Sequence, residues 1–224
     1  MANNPFNIVL LGPPGAGKGT QAAHLIKAYK LLHISTGDML RSAIKEGSDV
    51  GKEAQKYINK GELVPDDIVT QAVIARMSKD DAQGGVILDG YPRTCIQAES
   101  LNEALKRTAR SLKCVLFFKT SEDVAIQRLS GRRVCPKCGK NYHITNMPPK
   151  KDGFCDSCVV ALIQREDDSV NTVKNRLKVY EDQTKDLISF YRDEGLLREV
   201  NGDIPAVELF EHVDNLFRSE GWVV

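Results

Sequence analysis

Short apolar runs alternate with longer amphipathic stretches over most of the chain. The runs Phe6–Leu11, Val86–Leu88 and Val115–Phe118 are almost entirely apolar, which is typical of strands buried on both faces of a parallel sheet. Leu197–Val200 predicts a last strand. Helical patterns occupy residues 17–29, 68–77, 97–107, 122–129, 169–193 and 206–218. Strands that alternate with helices predict an α/β protein whose parallel sheet is covered on both faces.

Two stretches interrupt this alternation. Thr36–Val64 has a mostly helical pattern and no strand signal. Gly131–Asp168 contains three prolines, four cysteines and the basic pair Lys150 and Lys151. Both stretches are predicted to be insertions that lie over the sheet.

Composition and charge exclude several classes of protein. Lys and Arg number 31 and Asp and Glu number 30, so no overall field favours nucleic acid or a membrane surface. No apolar run approaches the ~20 residues that span a bilayer. Residues 1–5 lack the basic and apolar regions of a signal peptide. We therefore expect a cytoplasmic protein, in which the six cysteines have a role other than disulfide formation.

The segment Gly12–Thr20 reads GPPGAGKGT and lies between the first predicted strand and the first predicted helix. Glycines let successive backbone N–H groups point at one anion, and the following helix adds the positive end of its dipole. Lys18 supplies a point charge for the outer phosphates. The plain alternative is a Gly-rich turn, but this spacing and context favour a loop that binds the phosphates of a nucleoside triphosphate.

The residue after Lys18 departs from the general phosphate-loop pattern. Many nucleoside triphosphatases have there a Ser or Thr that ligates magnesium, whereas this chain has Gly19 and places the hydroxyl at Thr20. Gly-Lys-Gly-Thr resembles the nucleoside monophosphate kinases instead. Direct ligation of magnesium by Thr20 is therefore not expected.

Two Cys-x-x-Cys pairs lie inside the second insertion. Cys135 and Cys138 are followed, after sixteen residues, by Cys155 and Cys158, a spacing that matches a structural zinc site. Four thiolates leave no water to activate, so the metal would be structural, with iron the commonest substitute. Paired disulfides would suit a secreted protein. Cys95 and Cys114 have no partner spacing and are predicted to be free thiols, with Cys114 buried.

Longer motifs extend the resemblance over most of the chain. Ser35–Arg41 (STGDMLR), Gly61–Asp66 (GELVPD) and Asp89–Thr94 (DGYPRT) resemble adenylate kinase motifs and occur in that family's order. Gln97, Gly131–Arg133, Arg165–Asp168 and Arg176 also fall where the family has them. Several long matches in order are far more specific than one loop.

The resemblance implies a three-layer P-loop kinase fold in which a central parallel five-stranded sheet carries a helical AMP-binding insertion and a zinc-bearing lid. The core would comprise residues 1–34, 65–130 and 169–224, the AMP-binding insertion residues 35–64, and the lid residues 131–168. A metal can supply the rigidity that a small loop domain cannot obtain from its own core. Such a lid would swing as a unit and exclude water, as lids of adenylate kinases do.

The resemblance also implies which residues bind the two nucleotides. ATP would contact Gly15, Ala16, Gly17, Lys18, Gly19, Thr20, Arg128, Arg132, Asn141, Tyr142 and, through its carbonyl, Ile204. AMP would contact Thr36, Arg41, Glu62, Leu63, Val64, Gly90, Tyr91, Pro92, Arg93, Gln97, Arg165 and Arg176. The catalytic charges would be Lys18, Arg93, Arg132, Arg165 and Arg176.

The residue types suit these roles. Arg can hold a phosphate through a bidentate fork, which Lys cannot, and the amide of Gln97 can both donate to and accept from a base. UMP/CMP kinases usually have Ala at the position of Thr36, so Thr36 with Gln97 favours AMP. Asp89 would orient magnesium through water, or else cap a turn at its strand end. Asp167 and Asp168 are expected to pair with arginines, and His143 to be a packed or hydrogen-bonded histidine.

The reaction so implied is ATP + AMP ⇌ 2 ADP with magnesium on ATP, catalysed by a monomer without nucleic-acid or membrane partners. One alternative is a related kinase with another donor or acceptor, such as a GTP:AMP or UMP/CMP kinase. Another is a zinc-ribbon nucleic-acid binder with an ATPase core, which would need a basic face and stacking aromatic residues. Aromatic residues make up only 6% of the chain, which disfavours that class.

Overall fold

A computed structural model describes residues 6–223 of the protein. The signal-peptide expectation concerns residues 1–5, which lie outside this range. Within the range, no helix is long and apolar enough to cross a membrane.

Five parallel strands form the central sheet. In chain order they are β1 (Asn7–Leu11), β2 (Leu32–Ser35), β3 (Val86–Asp89), β4 (Leu112–Lys119) and, after the two short strands β5 (Arg132–Val134) and β6 (Asn141–His143), β7 (Leu197–Asn201). The spatial order is β2-β3-β1-β4-β7, so β1 lies at the centre of the sheet. The predicted α/β class with a five-stranded parallel sheet is confirmed.

Helices cover both faces of the sheet. They are α1 (Lys18–Tyr29), α2 (Thr36–Glu46), α3 (Asp49–Ile58), α4 (Asp66–Met77), α5 (Cys95–Arg107), α6 (Glu122–Ser130), α7 (Val170–Val179), α8 (Leu187–Asp193) and α9 (Ala206–Ser219). Alternate side chains of β1 enter opposite cores: Val9 and Leu11 pack in one apolar cluster, Ile8 and Leu10 in the other. Period-two alternation thus fixes β1 between two cores and holds the loop that follows it.

Strand β2 and the helical region over residues 169–193 differ from what the sequence patterns predict. The apolar runs predict four strands and overlook β2, whose four residues LHIS include two polar side chains. The helical pattern over residues 169–193 is not one uniform helix, because a π-helical segment, Tyr180–Thr184, separates α7 from α8. Hydrophobic periodicity cannot detect a local change of hydrogen-bond register.

The first insertion, residues 35–64, consists of α2 and α3, as its pattern predicts. The Ser35 hydroxyl caps α2 by accepting from the Asp38 N–H, and the Ser48 hydroxyl caps α3 by accepting from the Gly51 N–H. A Cβ at Gly51 would lie 2.1 Å from the Ala43 carbonyl oxygen. The two helices therefore pack too closely for any larger residue there.

The second insertion, residues 131–168, has a small antiparallel sheet of its own. Strands β5 and β6 pair with each other, and single bridges join Val134 to Ile163 and Phe154 to Ala161. Its buried cluster contains only Cys135, Tyr142 and Cys155, with three partly buried neighbours. So small an apolar core makes additional cross-links important for rigidity.

Arg110 braces the start of the sheet against the helix layer. It is 8% exposed, and its guanidinium donates to the Asn7 Oδ1 at 2.7 Å and to the carbonyls of Met77 and Ala82 at 3.2 and 2.9 Å. Three separate segments of chain thus meet at one side chain.

We expect Arg110→Met to lower the free energy of unfolding by about 2 to 3 kcal/mol, because it removes charge-assisted hydrogen bonds and leaves buried carbonyls unpaired. Urea unfolding measures this change. Arg107→Met is the matched control, since Arg107 is exposed on α5. Equal urea midpoints for the two variants would contradict the bracing role of Arg110.

Candidate active site

The phosphate loop connects the C-terminal end of β1 to α1. Gly15 has a φ of +89°, and a Cβ there would lie 2.5 Å from the Ala125 carbonyl oxygen, so both conformation and space require glycine. Lys18 is the first residue of α1. Its Nζ donates to the carbonyls of Gly12 at 2.6 Å and Pro13 at 2.9 Å, so the ammonium folds back across the loop.

The surroundings of Lys18 disfavour its charged form. Burial in the cleft is the main cause that lowers its pKa from 10.5 to about 8. The nearby cations Arg93, Arg176 and Arg132 lower it further, while Asp89 opposes the shift. An anion beside Lys18 would restore the charged form, as opposite charge raises the pKa of an amine.

Four arginines converge on the same cleft from three parts of the chain. Burial lowers the pKa of Arg93 and of Arg165 to about 10 each, and lowers the pKa of Arg176. The positive charge of Arg132 also lowers the pKa of Lys18, of Arg165 and of Arg176. Like charges concentrated in one buried place favour the binding of a multiply charged anion.

Carboxylates balance this cluster only in part. Asp168 is 1% exposed, accepts two hydrogen bonds from the Arg132 guanidinium, and lies 3.1 Å from the Arg176 Nη1. Asp167 pairs with Arg176 at 3.1 Å and with Arg41 at 3.6 Å. Both aspartates are thus occupied by arginines, the arrangement expected of groups that set geometry and not of free general bases.

A small cavity of about 70 Å³ lies between the first insertion and the core. Nine of the twelve predicted AMP-binding residues line it: Thr36, Arg41, Glu62, Leu63, Val64, Gly90, Arg93, Gln97 and Arg176. Ligand pockets usually measure roughly 300 Å³ or more. The cleft is therefore narrow at this point.

The three other predicted AMP-binding residues are placed differently. Tyr91 is fully buried, and its hydroxyl contacts Thr70 Oγ1 and the Gln97 carbonyl, so its ring faces the core. Pro92 is also buried beside it. Arg165 approaches from the second insertion, with 3.4 Å between its Nη2 and the Asp38 Oδ1.

Protein groups orient the two predicted specificity residues. The Thr36 hydroxyl donates to the Gly90 carbonyl at 2.8 Å. The Gln97 Oε1 accepts from the Arg93 N–H at 2.8 Å, and its Nε2 donates to Asp66 at 2.7 Å. One N–H and one lone pair of the Gln97 amide remain for a ligand.

Arg128 joins the phosphate-loop region to the turn before α9. Its guanidinium donates to the carbonyls of Gly202 at 2.6 Å and Ile204 at 3.2 Å. A Cβ at Gly17 would lie 3.7 Å from the Arg128 Nη1. The carbonyl of Ile204 therefore already has one partner and can accept one more hydrogen bond.

Asp89 lies at the C-terminal end of β3, facing the phosphate loop. A Cβ at Gly19 would lie 3.5 Å from its Oδ2. Burial alone would raise the pKa of Asp89, but the hydrogen bond from His33 and the charge of Lys18 lower it. Asp89 is thus held as a carboxylate next to the loop, the state that a cation requires.

The four cysteines of the second insertion form one cluster. Their Sγ atoms lie within 4.8 Å of one another, and those of Cys138 and Cys155 are 3.8 Å apart. Zn–S bonds of about 2.3 Å in a tetrahedron place sulfurs about 3.8 Å apart, whereas a disulfide needs about 2.05 Å. The N–H groups of Cys138 and Cys158 donate to Cys135 and Cys155 Sγ, as in a metal knuckle. The cluster can hold a metal ion.

Three predicted residues of the second insertion point in different directions. The Tyr142 hydroxyl donates to Cys155 Sγ and accepts from the Asp156 N–H, so its side chain is turned towards the cysteine cluster. Asn141 contacts Arg165 at 3.5 Å, towards the cleft. His143 is buried, its Nδ1 accepts from the N–H groups of Thr145 and Asn146, and it is confirmed as a hydrogen-bonded histidine. Cys95 and Cys114 are free thiols, and Cys114 is buried.

Sequence reasoning overlooks two residues of the site. Asp38 pairs with Arg41 at 2.6 Å and with Arg165 at 3.4 Å, and so links the first insertion to the second. His33 lies on β2, with its Nε2 3.4 Å from Asp89 Oδ2. Asp38 stands inside the STGDMLR motif, which could have identified it, but no sequence signal marks His33.

Comparisons with known proteins agree with this geometry. The family model described as adenylate kinase matches residues 10–196. The chain belongs to the adenylate kinase family. It is 49% identical over 211 residues (94% of this chain, 98% of the relative) to a protein named adenylate kinase from Clostridium botulinum strain Hall. Proteins of that name from Oceanobacillus iheyensis and Geobacillus sp. strain WCH70 are 45% identical over 215 residues (96% and 100%) and 47% over 211 residues (94% and 98%).

The lowered pKa of Lys18 predicts proton uptake when MgATP binds. At pH 8 about half of the free protein lacks the Lys18 proton, and the bound phosphates raise that pKa, so about half a proton is taken up per site. Titration calorimetry in buffers of different ionisation enthalpy measures this number. Lys27→Met, an exposed change on the same helix, should retain the uptake. Absence of uptake in the unmodified protein at pH 8 would contradict the assignment.

Proposed function

We propose that the protein transfers the terminal phosphoryl group of MgATP to AMP and releases two ADP. The observation that carries this proposal is the convergence of Lys18 with Arg93, Arg132, Arg165 and Arg176 beside a cavity lined by the predicted acceptor residues. A hydrolase needs a group that activates water, whereas here Asp167 and Asp168 are occupied by arginines, and Asp89 lies against His33 and Lys18.

The donor nucleotide would lie along the phosphate loop. Backbone N–H groups at the start of α1 and the helix dipole would hold the outer phosphates, and Lys18 would leave its carbonyl partners to bind them. Arg132 would approach from the base of the second insertion. Arg128 and the Ile204 carbonyl would border the adenine of ATP.

The acceptor would lie in the cavity between the first insertion and the core. Arg41 and Arg93 would hold the AMP phosphate through bidentate contacts. The Nε of Arg93 already donates to the Gly90 carbonyl at 2.8 Å, which orients the rest of its guanidinium. The attacking group is a phosphate anion, so positioning and charge neutralisation suffice and no strong base is required.

The second insertion would close the site as a lid. In the closed form, ion pairs cross the cleft from Arg165 to Asp38 and from Asp167 to Arg41. Closure excludes water, which would otherwise compete with AMP for the phosphoryl group, and strengthens every charge interaction within the cleft. Because the acceptor cavity is narrow, AMP would enter only after this closure is released.

Two metals are part of the proposal. Magnesium, bound to ATP, would neutralise phosphate charge, and Asp89 would orient it through water. Zinc would join the four cysteine sulfurs, whose spacing fits a tetrahedral ion. Its role would be structural, because four protein ligands leave no open position.

Related kinases with another nucleotide, such as a GTP:AMP or UMP/CMP kinase, are not favoured by the family comparison. Thr36 and the partly free amide of Gln97 support AMP as acceptor. Parallel assays with AMP, UMP, CMP and GMP should give the highest kcat/KM for AMP. A higher value for another monophosphate would contradict the acceptor assignment.

A cytoplasmic location and a monomeric state stay predictions. The six unpaired cysteines suit a reducing compartment. The near balance of 31 basic and 30 acidic residues supports the absence of nucleic-acid and membrane partners.

Arg93→Ala should reduce kcat for ADP formation by a factor of about 10² to 10³. This is the usual effect of removing one preorganised hydrogen-bond donor that stabilises a transition state. A coupled assay for ADP from ATP plus AMP measures this. Arg107→Ala, an exposed change on α5, is the charge-matched control. A folded Arg93→Ala protein with near-normal turnover would overturn the role given to Arg93.

Removal of the proposed zinc should loosen the second insertion. We expect about one zinc per chain by metal analysis, and a lower melting temperature for Cys155→Ser, because ligand loss removes stabilisation that the small apolar core cannot replace. Cys95→Ser, outside the cluster, is the control. An unchanged melting temperature after complete metal removal would refute the structural role.

A further inference from the structure

A second, larger cavity lies beside the phosphate loop, at Pro13. Its volume is about 540 Å³, and it lies between the C-terminal end of β4, the start of α6 and the run from α7 through the π-helical segment to α8. Pro13 is the only residue of the phosphate loop that lines it. None of the residues assigned to ATP or AMP does so. Its size falls within the range of small-molecule pockets.

One part of the cavity wall is apolar. Phe117, Leu177, Tyr180 and Ile188 line it together with Pro13. Phe117 is a buried residue near the C-terminal end of β4. Leu177 and Ile188 are only partly buried on their helices. Such a surface can cover an aromatic ring or a short aliphatic chain.

The rim of the cavity is positively charged. It has four lysines, Lys119, Lys174, Lys178 and Lys185, and two glutamates, Glu122 and Glu181. Lys185 pairs with Glu181 at 2.7 Å. Across residues 6–223, Lys119, Lys174 and Lys178 have no carboxylate within salt-bridge distance. The local charge therefore favours an anion.

Tyr180 adds a hydrogen-bonding group that has no partner in the described part of the chain. Its side chain is 8% exposed and its hydroxyl is buried. A buried hydroxyl without a partner is unfavourable and uncommon. Tyr180 also begins the π-helical segment, and such segments occur frequently at functional sites.

We propose that this cavity binds a small organic anion, with its charged group among Lys119, Lys174 and Lys178 and its apolar body against Phe117 and Leu177. The Tyr180 ring would belong to the apolar wall, since its hydroxyl is buried. The occupant would also touch Pro13, whose carbonyl accepts a hydrogen bond from Lys18. Binding here would therefore contact the phosphate loop at Pro13 without using any of the residues assigned to the nucleotides.

Phenyl phosphate is a suitable probe, because it combines an aromatic ring with a doubly charged group. ¹⁵N-labelled protein is first saturated with ADP and magnesium, so that the nucleotide positions are filled. The backbone amide signals of Leu177 and Ile188 are then followed as phenyl phosphate is added. Inorganic phosphate and benzyl alcohol serve as probes that have only the charge or only the ring.

We expect saturable shifts at these amides with phenyl phosphate and weaker binding of either simpler probe. Lys178→Glu should weaken the affinity by about tenfold or more, because it replaces an attractive charge with a repulsive one. Lys106→Glu is the matched control, since Lys106 is an exposed helical lysine of α5 that does not line the cavity.

Three results would overturn the proposal. One is the absence of saturable shifts at Leu177 and Ile188. Another is equal affinity in Lys178→Glu and Lys106→Glu. The third is binding of inorganic phosphate as tight as that of phenyl phosphate, since the apolar wall would then contribute nothing.

Discussion

The structure depends on a concentration of positive charge that the protein balances only in part. Lys18 and four arginines meet in one buried cleft, and burial together with mutual repulsion lowers the pKa of Lys18 to about 8. Charges so placed are unfavourable without an anion. Asp89, Asp167 and Asp168 compensate some of them. The negative charge that is still missing would come from a triphosphate and an acceptor phosphate.

Each structural unit delivers part of this charge. The central strand β1 ends at the phosphate loop and so places Lys18, while the segment after β3 places Arg93. The two insertions bring Arg41 from one side and Arg132 and Arg165 from the other. Because these arginines lie on separate units, the proposed closure would bring them together around the substrates. Rigidity within the second insertion, to which a metal held by its four cysteines would contribute, would therefore matter for the site as a whole.

Much of this arrangement could be predicted from the sequence, because it depends on local patterns. The phosphate loop follows from glycine spacing beside an apolar strand, and the cysteine cluster from two Cys-x-x-Cys pairs. Strand β2 was overlooked, since four residues with two polar side chains carry little hydrophobic signal. The side-chain direction of Tyr142, the His33–Asp89 contact and the cavity beside Tyr180 depend on tertiary packing between distant segments. No pattern within one segment records such contacts.

The central claim is that the protein transfers the phosphoryl group to AMP and not to water. ³¹P NMR of the reaction tests it most directly. ATP and AMP, mixed with magnesium and the protein, should convert to ADP with no detectable inorganic phosphate. ATP without AMP should remain unchanged over the same period. Release of inorganic phosphate at a comparable rate in both samples would contradict the account, because the arginine cluster would then serve hydrolysis.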